Sequence, residues 1–125
     1  PDVINSAGAE FNAFVDPDEK YIIYTAYKRK GNLGSGDLYI SDKDDLGNWK
    51  ESINMGQSIN GSGLTYCPYV SPDKKSFFFS ASRDAFNFPF EEQMKIKEIR
   101  SIVNGPYNGW DNIYWINATE WIKEK

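Results

Sequence analysis

The chain carries an internal repeat: residues 4–28 align without a gap onto residues 59–83, at a constant offset of 55 positions. A repeat of this kind constrains the fold strongly, because one unit cannot bury its own apolar face and has to pack against a neighbour. The identical pairs are Ile4/Ile59, Asn5/Asn60, Gly8/Gly63, Val15/Val70, Pro17/Pro72, Asp18/Asp73, Lys20/Lys75 and Ala26/Ala81. We therefore expect two structurally equivalent units.

The first unit, residues 11–54, has the pattern of a four-stranded antiparallel meander. A proline turn at residues 16–20 separates a short apolar run from residues 21–25, which are rich in β-branched and aromatic side chains. A glycine-rich loop then leads to a strand at residues 37–41, and a polar turn leads to a fourth strand at residues 49–53. The sequence therefore predicts an all-β fold.

The second unit, residues 66–117, repeats the turn and the first two strands, and residues 112–116 supply its third strand. In place of a fourth strand, residues 118–123 are predicted to form a short helix. Asn117 can cap this helix, and Glu120 occupies its capping-box position. The second unit is therefore expected to be one strand short.

A helical insertion at residues 84–109 is predicted between the second and third strands of the second unit. Residues 89–103 have the pattern of an amphipathic helix, with acidic residues early, basic residues later and an apolar stripe of Ile96, Ile99 and Val103. We expect this stripe to pack on its own unit, and a contact between copies of the chain is the alternative.

The chain has no histidine and only one cysteine, Cys67, which excludes several kinds of site. Without histidine there is no Ser-His-Asp triad, no activated Cys–His pair and no usual zinc site. Cys67 lies in an aromatic run and is expected to be a small buried side chain. The acidic turn at residues 42–45 lacks the full ligand pattern of a calcium loop, so we expect neither a metal nor another cofactor.

Charge and hydropathy argue against two classes of partner. The formal net charge is −4 and the isoelectric point is about 4.8, whereas phosphate binding needs clustered lysine and arginine. The basic run at residues 28–30 is too short to reverse this balance and is expected to be a solvated loop. No stretch reaches the roughly 18 apolar residues of a membrane span. We therefore expect neither nucleic acid as a partner nor a membrane span.

The paired segments at residues 14–20 and 69–75 resemble the TolB-type (WD40-like) β-propeller repeat, whose turn reads Ser-Pro-Asp-Gly-Lys. In that repeat, the strand after the turn ends in an aromatic and small residues followed by arginine, as residues 79–83 do. A glycine-rich segment then leads into Asp-Ile-Tyr, which residues 36–39 match as Gly-Asp-Leu-Tyr. The resemblance covers nearly the whole chain apart from the insertion.

The departures from this repeat are small. Glu19 and Lys74 replace the turn glycine, and Lys28 replaces the first arginine. Motif residues in turns usually serve backbone geometry, so we interpret the matched ones first as fold residues. They are Pro17, Asp18, Pro72, Asp73 and Arg83.

The resemblance implies a periplasmic or otherwise exported bacterial protein whose full form closes a ring of about six blades. The family includes the propeller of the Tol system, which binds a peptidoglycan-associated lipoprotein, and propeller domains attached to peptidases. It supplies no universal catalytic residue. On this interpretation the chain forms the C-terminal two blades of a larger ring, the second of them incomplete.

Propellers tend to bind ligands through the loops at one end of the central channel. Here those loops are residues 5–12, 27–36, 56–67 and 84–109. The candidate ligand-binding residues on them, suited to a peptide or a sugar, are Phe11, Tyr27, Tyr66, Arg83, Phe86 and Phe88. The alternative is that the insertion plugs the channel and that its aromatic residues belong to the core.

The favoured function is a non-enzymatic binding or scaffold module with a protein, peptide or sugar ligand. The alternative is a glycan- or peptide-processing propeller, or its gating domain, and a third possibility is a structural fragment. A glycosidase needs two carboxylates at a defined separation, and sequence alone does not place Glu10, Asp37 and Asp111 at one. Two blades leave open edges, so we expect self-association, with three chains forming six blades, or further N-terminal blades.

Overall fold

In the computed structural model, which describes residues 1–84 and 93–122, the chain is mostly β and forms two antiparallel sheets. The first sheet has the order β1-β2-β3-β4 and the second has the order β5-β6-β7. The strands are β1 (Ala9–Val15), β2 (Tyr21–Tyr27), β3 (Gly36–Asp42), β4 (Ile53–Asn54), β5 (Thr65–Val70), β6 (Ser76–Asp84) and β7 (Asn108–Asn117). One α-helix, α1 (Ile96–Val103), lies between β6 and β7, and a 3-10 helix (Ala118–Glu120) follows β7.

The same backbone irregularity occurs at equivalent repeat positions in the two sheets. The pairing of β1 with β2 is irregular between Phe11 and Phe14, and that of β5 with β6 is irregular at the equivalent positions, Tyr66 and Tyr69. A bulge of this kind adds an unpaired residue and re-aims its side chain. The expectation that Cys67 is buried is wrong, because this bulge turns its side chain out to solvent.

The two proline turns are also alike, and they form as predicted. In the first turn the amide of Glu19 donates to the carbonyl of Asp16 at 2.7 Å, and in the second the amide of Lys74 donates to Ser71 at 2.8 Å. Glu19 and Lys74 have φ angles of 55° and 56°. This left-handed conformation favours glycine, which explains why these are the positions where the resembling repeat has glycine.

The two sheets share one hydrophobic core. One face of the first sheet contributes Ile23, Leu38 and Ile40 to it, and the second sheet contributes Phe77 and Phe79. Strand β5 lies against β1, β2 and β3, so the sheets meet face to face. The segment that joins the sheets adds Met55 and Ile59 to the same cluster.

The opposite face of the first sheet has a smaller cluster of its own. Tyr24, Ala26 and Tyr39 pack there against Ile4 and Val3 of the N-terminal segment. Central strands covered on both sides are rich in apolar residues, which is the composition of β2 and β3. The N-terminal segment therefore covers part of this face and leaves Val15 exposed.

Three predicted elements differ in extent from the observed ones. The fourth strand of the first sheet is Ile53–Asn54 rather than residues 49–53, because Trp49 forms only an isolated bridge with Lys43. The third strand of the second sheet is longer than predicted and spans Asn108–Asn117. The terminal helix is a 3-10 helix, Ala118–Glu120, and Asn117 caps it by accepting from the amide of Thr119 at 3.0 Å.

The inserted helix is shorter and more exposed than expected. It begins at Ile96, and the predicted residues 89–92 lie outside the described part of the chain. Its stripe of Ile96, Ile99 and Val103 is not buried on the second sheet, and no residue of the helix is buried. Among the described residues, no helix has the length and apolar character to cross a membrane.

Candidate functional site

Three of the four loops that the sequence assigns to a ligand-binding end, residues 5–12, 27–36 and 56–67, lie at one end of the sheets, and the fourth, residues 84–109, lies partly outside the described residues. Ala9 pairs with Tyr27, so the segment before β1 and the loop after β2 are neighbours. Gly36 forms a bridge with Leu64, which brings the loop before β3 beside the segment before β5. Gly34 approaches the carbonyls of Gly61 and Gly63 so closely that there is no space for a side chain.

Arg83, a predicted ligand-binding residue at this end, is bound within the fold. Its guanidinium donates to the carbonyl of Ile59 at 2.8 Å and lies over the ring of Tyr114, 4.9 Å from the ring centre. It also lies 5.8 Å from the ring centre of Phe79. Arginine suits such a site because a planar cation can stack on a ring while it donates hydrogen bonds. This is the role of a fold residue.

The first sheet has the same arrangement, built from Arg29. Its guanidinium donates to the carbonyl of Ile4 at 2.6 Å and to that of Val3 at 3.2 Å, and it lies 5.1 Å from the ring centre of Tyr39. Ile4 and Ile59 are repeat equivalents. The counterpart of the motif arginine is therefore Arg29, one position after Lys28. The expectation that residues 28–30 form a solvated loop is wrong for Arg29, whose side chain is 11% exposed.

Of the other predicted binding residues, Phe11 and Tyr27 are exposed. The register of β1 and β2 makes them diagonal neighbours on one face of the first sheet. Tyr66 belongs to the second sheet and is partly buried. Burial, and then the neighbouring Asp111 carboxylate, raise the pKa of Tyr66. Phe86 and Phe88 lie outside the described residues.

Two of the three carboxylates considered for catalysis are engaged in holding loops. Asp37 is buried and accepts from the amides of Leu33 and Gly34 at 2.6 and 3.1 Å. Its carboxylate also accepts from the side chain of Asn54 at 2.7 Å. Glu10 accepts from the amide of Ser6 at 3.1 Å. Asp37 therefore anchors the entry to β3.

An acidic depression of about 590 Å³ lies at the other end of the sheets, between the first proline turn and the turn after β3. Asp44 accepts there from the amides of Asn48 and Leu46, at 2.8 and 3.0 Å, and the bond from Asn48 is the main reason that its pKa is lowered. Lys20, Lys43 and Lys50 line the same depression. Within the described ranges, no group of three or more histidine, cysteine, aspartate or glutamate side chains is arranged to hold a metal ion.

The most distinctive surface is one face of the second sheet. The register pairs Tyr69 with Phe78, Phe78 with Trp115, and Ser80 with Ile113, so the four apolar side chains share one face. Tyr69 is 49% exposed, Trp115 is 67% exposed and Ile113 is 78% exposed. We call Tyr69, Phe78, Ile113 and Trp115 the outer face. A soluble chain seldom exposes a contiguous apolar surface without using it to bind.

The outer face was not predicted as a site, although the sequence contains a signal for it. Ile113 and Trp115 align with Leu38 and Ile40 of the first sheet at an offset of 75 positions. Leu38 and Ile40 are buried against the second sheet. Because the described residues form two sheets, the equivalent side chains of the second sheet have no further sheet among them to pack on. Two stacked units have one junction between them, so the repeat alone would have predicted an apolar face of the second sheet with no sheet against it.

A scan of the sequence against protein-family models, a search of the curated proteins and a search of the solved structures each returned no match. The function has to be judged from the residues of the chain itself.

Proposed function

We propose that the chain is a non-enzymatic binding or scaffold module of an exported bacterial TolB-like propeller protein, with its two sheets as neighbouring blades. The observation that carries this proposal is the outer face, which presents two exposed residues, Ile113 and Trp115, on a regular sheet. Aromatic and aliphatic side chains at the centre of a patch are those that contribute most to protein association. We expect the outer face to bind a protein surface.

The blade interpretation is supported by the way the two sheets stack. Both begin with a bulged strand, continue through a proline turn, and place an arginine over the tyrosine of the third strand. The second sheet packs on the first with a different face from the one that the first sheet uses, and beside this junction the rings of Phe14 and Tyr69 meet edge to face at 5.8 Å. Repeated sheets that stack in one direction are the arrangement of a propeller.

A non-enzymatic role is supported by what the polar groups at the loop end do. The guanidinium of Arg83 is engaged with Ile59 and Tyr114, and the carboxylate of Asp37 holds three donors. Both groups therefore already serve as hydrogen-bond partners within the fold, which supports a structural role for them. The exposed Phe11 and Tyr27 leave this end as a second surface for a peptide or sugar.

The first test asks whether the outer face is an accessible apolar surface in the native chain. The fluorescent apolar dye ANS should bind the folded protein, and Trp115→Lys or Ile113→Lys should remove most of that fluorescence. Leu46 is a matched control because it is a single exposed apolar residue on a turn. Leu46→Lys should leave the fluorescence unchanged. No dye binding by the folded wild-type chain at a concentration at which it is monomeric would contradict the proposal.

The second test addresses catalysis. A panel of peptide and glycoside substrates should show no turnover above that of buffer. Hydrolysis that disappears in Asp111→Asn would overturn the non-enzymatic assignment, because Asp111 is the exposed carboxylate at the loop end. Circular dichroism of the variant separates a lost activity from a lost fold.

A further inference from the structure

We propose that the outer face binds a second copy of the chain, head to tail, and that this contact repeats the junction between the two sheets within one chain. The inference rests on the proposed binding function of the outer face and adds the identity of its partner. The partner copy would present the face of its first sheet that carries Val15, Ile22 and Tyr24. The argument for it lies in the equivalence of positions across the junction.

The outer face is the counterpart of a surface that is already an interface. At the repeat offsets, Phe78 corresponds to Ile23, Ile113 to Leu38 and Trp115 to Ile40, and the residues pair across the strands in the same register. The first-sheet members of these pairs are buried in the core shared by the sheets. The second sheet therefore exposes a face that is equivalent to the first-sheet face on which it packs.

The first sheet offers the complementary face. Within the chain, the side of the second sheet that packs on the first contains Val70, Phe77 and Phe79, all buried. Their counterparts in the first sheet are Val15, Ile22 and Tyr24. Val15 is 47% exposed, whereas Val70 is 3% exposed, so a position that is buried at the internal junction is uncovered in the first sheet.

The N-terminal segment does not obstruct this face. It covers Tyr24 through Ile4, and its counterpart Ile59 belongs to the core at the internal junction. An interface between two sheets can therefore include a segment of this kind. The surface formed by Val15, Ile22 and the N-terminal segment can meet an outer face as the second sheet meets the first.

The contact is heterologous, because the two faces differ. Each copy uses its outer face on one side and its Val15 face on the other, so a dimer keeps one free face of each kind. Further copies can then add until the rotation closes a ring. This distinguishes the proposal from a two-fold dimer, in which both copies use the same face and both faces are consumed.

Electrostatics at the turns should limit the strength of the contact. At the internal junction, Lys74 Nζ lies 3.0 Å from Asp16 Oδ1 and 3.3 Å from Asp18 Oδ2. At the junction between copies, Glu19 takes the position of Lys74 and meets Ser71 and Asp73 instead. An exposed pair of like charges weakens association by less than about tenfold, and the apolar faces dominate.

The difference in charge between Glu19 and Lys74 gives a specific test of the proposal. Glu19→Lys puts the residue of the second turn into the first turn, whose backbone has nearly the same φ angle. The new lysine would face Ser71 and Asp73, and we expect the association constant to rise by about threefold to tenfold at low salt. The increase should shrink at high salt. Because the formal net charge is −4, Glu19→Lys also weakens the repulsion between copies at any surface. Asp45→Lys makes the same change in net charge at another exposed residue, and it is the control that should give a smaller increase.

The test uses the full chain in sedimentation equilibrium. The mean mass of the wild type should rise with concentration. Trp115→Lys on the outer face and Val15→Lys on the partner face should each lower the association constant by about tenfold or more. Leu46→Lys is the control and should behave as wild type. Circular dichroism verifies the fold, and Ile113→Lys replaces Trp115→Lys if that variant is unfolded.

Mixing the two variants decides between head-to-tail and two-fold contacts. Trp115→Lys retains an intact Val15 face and Val15→Lys retains an intact outer face, so their mixture should form a one-to-one dimer that does not grow. Failure of the mixture to associate overturns the proposal, as does a wild type that stays monomeric up to about millimolar concentration. If the chain binds the dye but stays monomeric, the outer face remains the proposed binding face and a second copy is excluded as its partner. Substrate turnover would overturn the non-enzymatic function without touching the association.

Discussion

The two sheets of this chain have equivalent strands but differ in what lies against them. In the first sheet one face packs on the second sheet and the other lies under the N-terminal segment. In the second sheet one face is covered, while Ile113 and Trp115 on the other are exposed. The difference teaches that burial in a stacked repeat is set by the neighbouring unit, since the strand register alone is the same in both sheets.

The edges of the two sheets differ as well. In the first sheet β4 pairs with β3 at Tyr39 and Ile40, so the third strand has a partner on each side. In the second sheet, within the described residues, β7 has β6 as its only partner. The chain instead turns into the 3-10 helix, and Ala118 and Ile122 pack into the shared core. A ten-residue strand with an open edge and an apolar face favours pairing with another sheet.

The largest expected effect on stability is a difference between two equivalent positions, Leu38 in the first sheet and Ile113 in the second. Leu38→Ala should lower the free energy of unfolding by about 2–5 kcal/mol, because Leu38 is 0% exposed and its loss leaves a cavity. Ile113→Ala, at the equivalent position, should change it by less than about 0.5 kcal/mol. Urea denaturation at low protein concentration measures both values. Equal losses would mean that Ile113 is buried in the monomer.

The arginines give the second comparison, in which the sheets should behave alike. Arg29→Met and Arg83→Met should each lower the free energy of unfolding by about 1–3 kcal/mol, because each removes a charged donor from the carbonyl of Ile4 or Ile59. Lys30→Met is the control, since Lys30 is exposed. A loss at Arg83 alone would contradict the equivalence of the two sites.

The sequence predicted the elements that depend on local chemistry. The prolines at Pro17 and Pro72 marked both turns, and the alternation of apolar residues marked the strands on either side. The two antiparallel sheets, the mostly β fold and, within residues 1–84 and 93–122, a second sheet with one strand fewer than the first are confirmed by the sheet order. These features follow from residues close together in the chain.

Features that depend on backbone irregularity were not predictable in the same way. The bulge at Cys67 reverses the direction of one side chain, and the adjacent Pro68 suits an edge strand as well as a bulge, so it does not by itself predict one. Arg29 takes the role assigned to Lys28, because Lys28 adopts a left-handed conformation with φ of 59° and shifts the register by one residue. The exposure of Trp115 depends on how many units stack, which no single strand encodes.

A third effect concerns the turns at the internal junction, where the sheets differ in their ionisable groups. Burial, and then the Asp16 carboxylate, raise the pKa of Tyr21 above the ordinary value of 10.0. A side-chain hydrogen bond to Asp16 raises the pKa of Lys74 above 10.5. The second sheet has Ser76 at the position equivalent to Tyr21, so the titration of Tyr21 has no counterpart there.

The sign of the pH dependence follows from these directions. Stability from a group with a raised folded-state pKa is complete below its unfolded-state pKa and is lost as the pH rises toward the raised value. The free energy of unfolding should therefore fall above about pH 10, with a limit of about 1.4 kcal/mol per pH unit for one proton. Tyr21→Phe should flatten the decline, while Tyr107→Phe, at an exposed tyrosine, should not. An unchanged slope in Tyr21→Phe would exclude Tyr21 as a source.

The smallest effect separates the two proline turns. Glu19→Gly should raise the free energy of unfolding by up to about 1 kcal/mol, because it removes a side chain from a left-handed residue. Lys74→Gly gives the same relief but removes the ammonium that lies 3.0 Å from the buried carboxylate of Asp16, and the net change should be destabilising. Glu19→Gln controls for the lost charge pair with Lys43. Urea midpoints should move in opposite directions for the two glycine variants. A shift in the same direction would show that the ion pair between the sheets adds nothing to their junction, and the two turns would then be equivalent in energy as well as in shape.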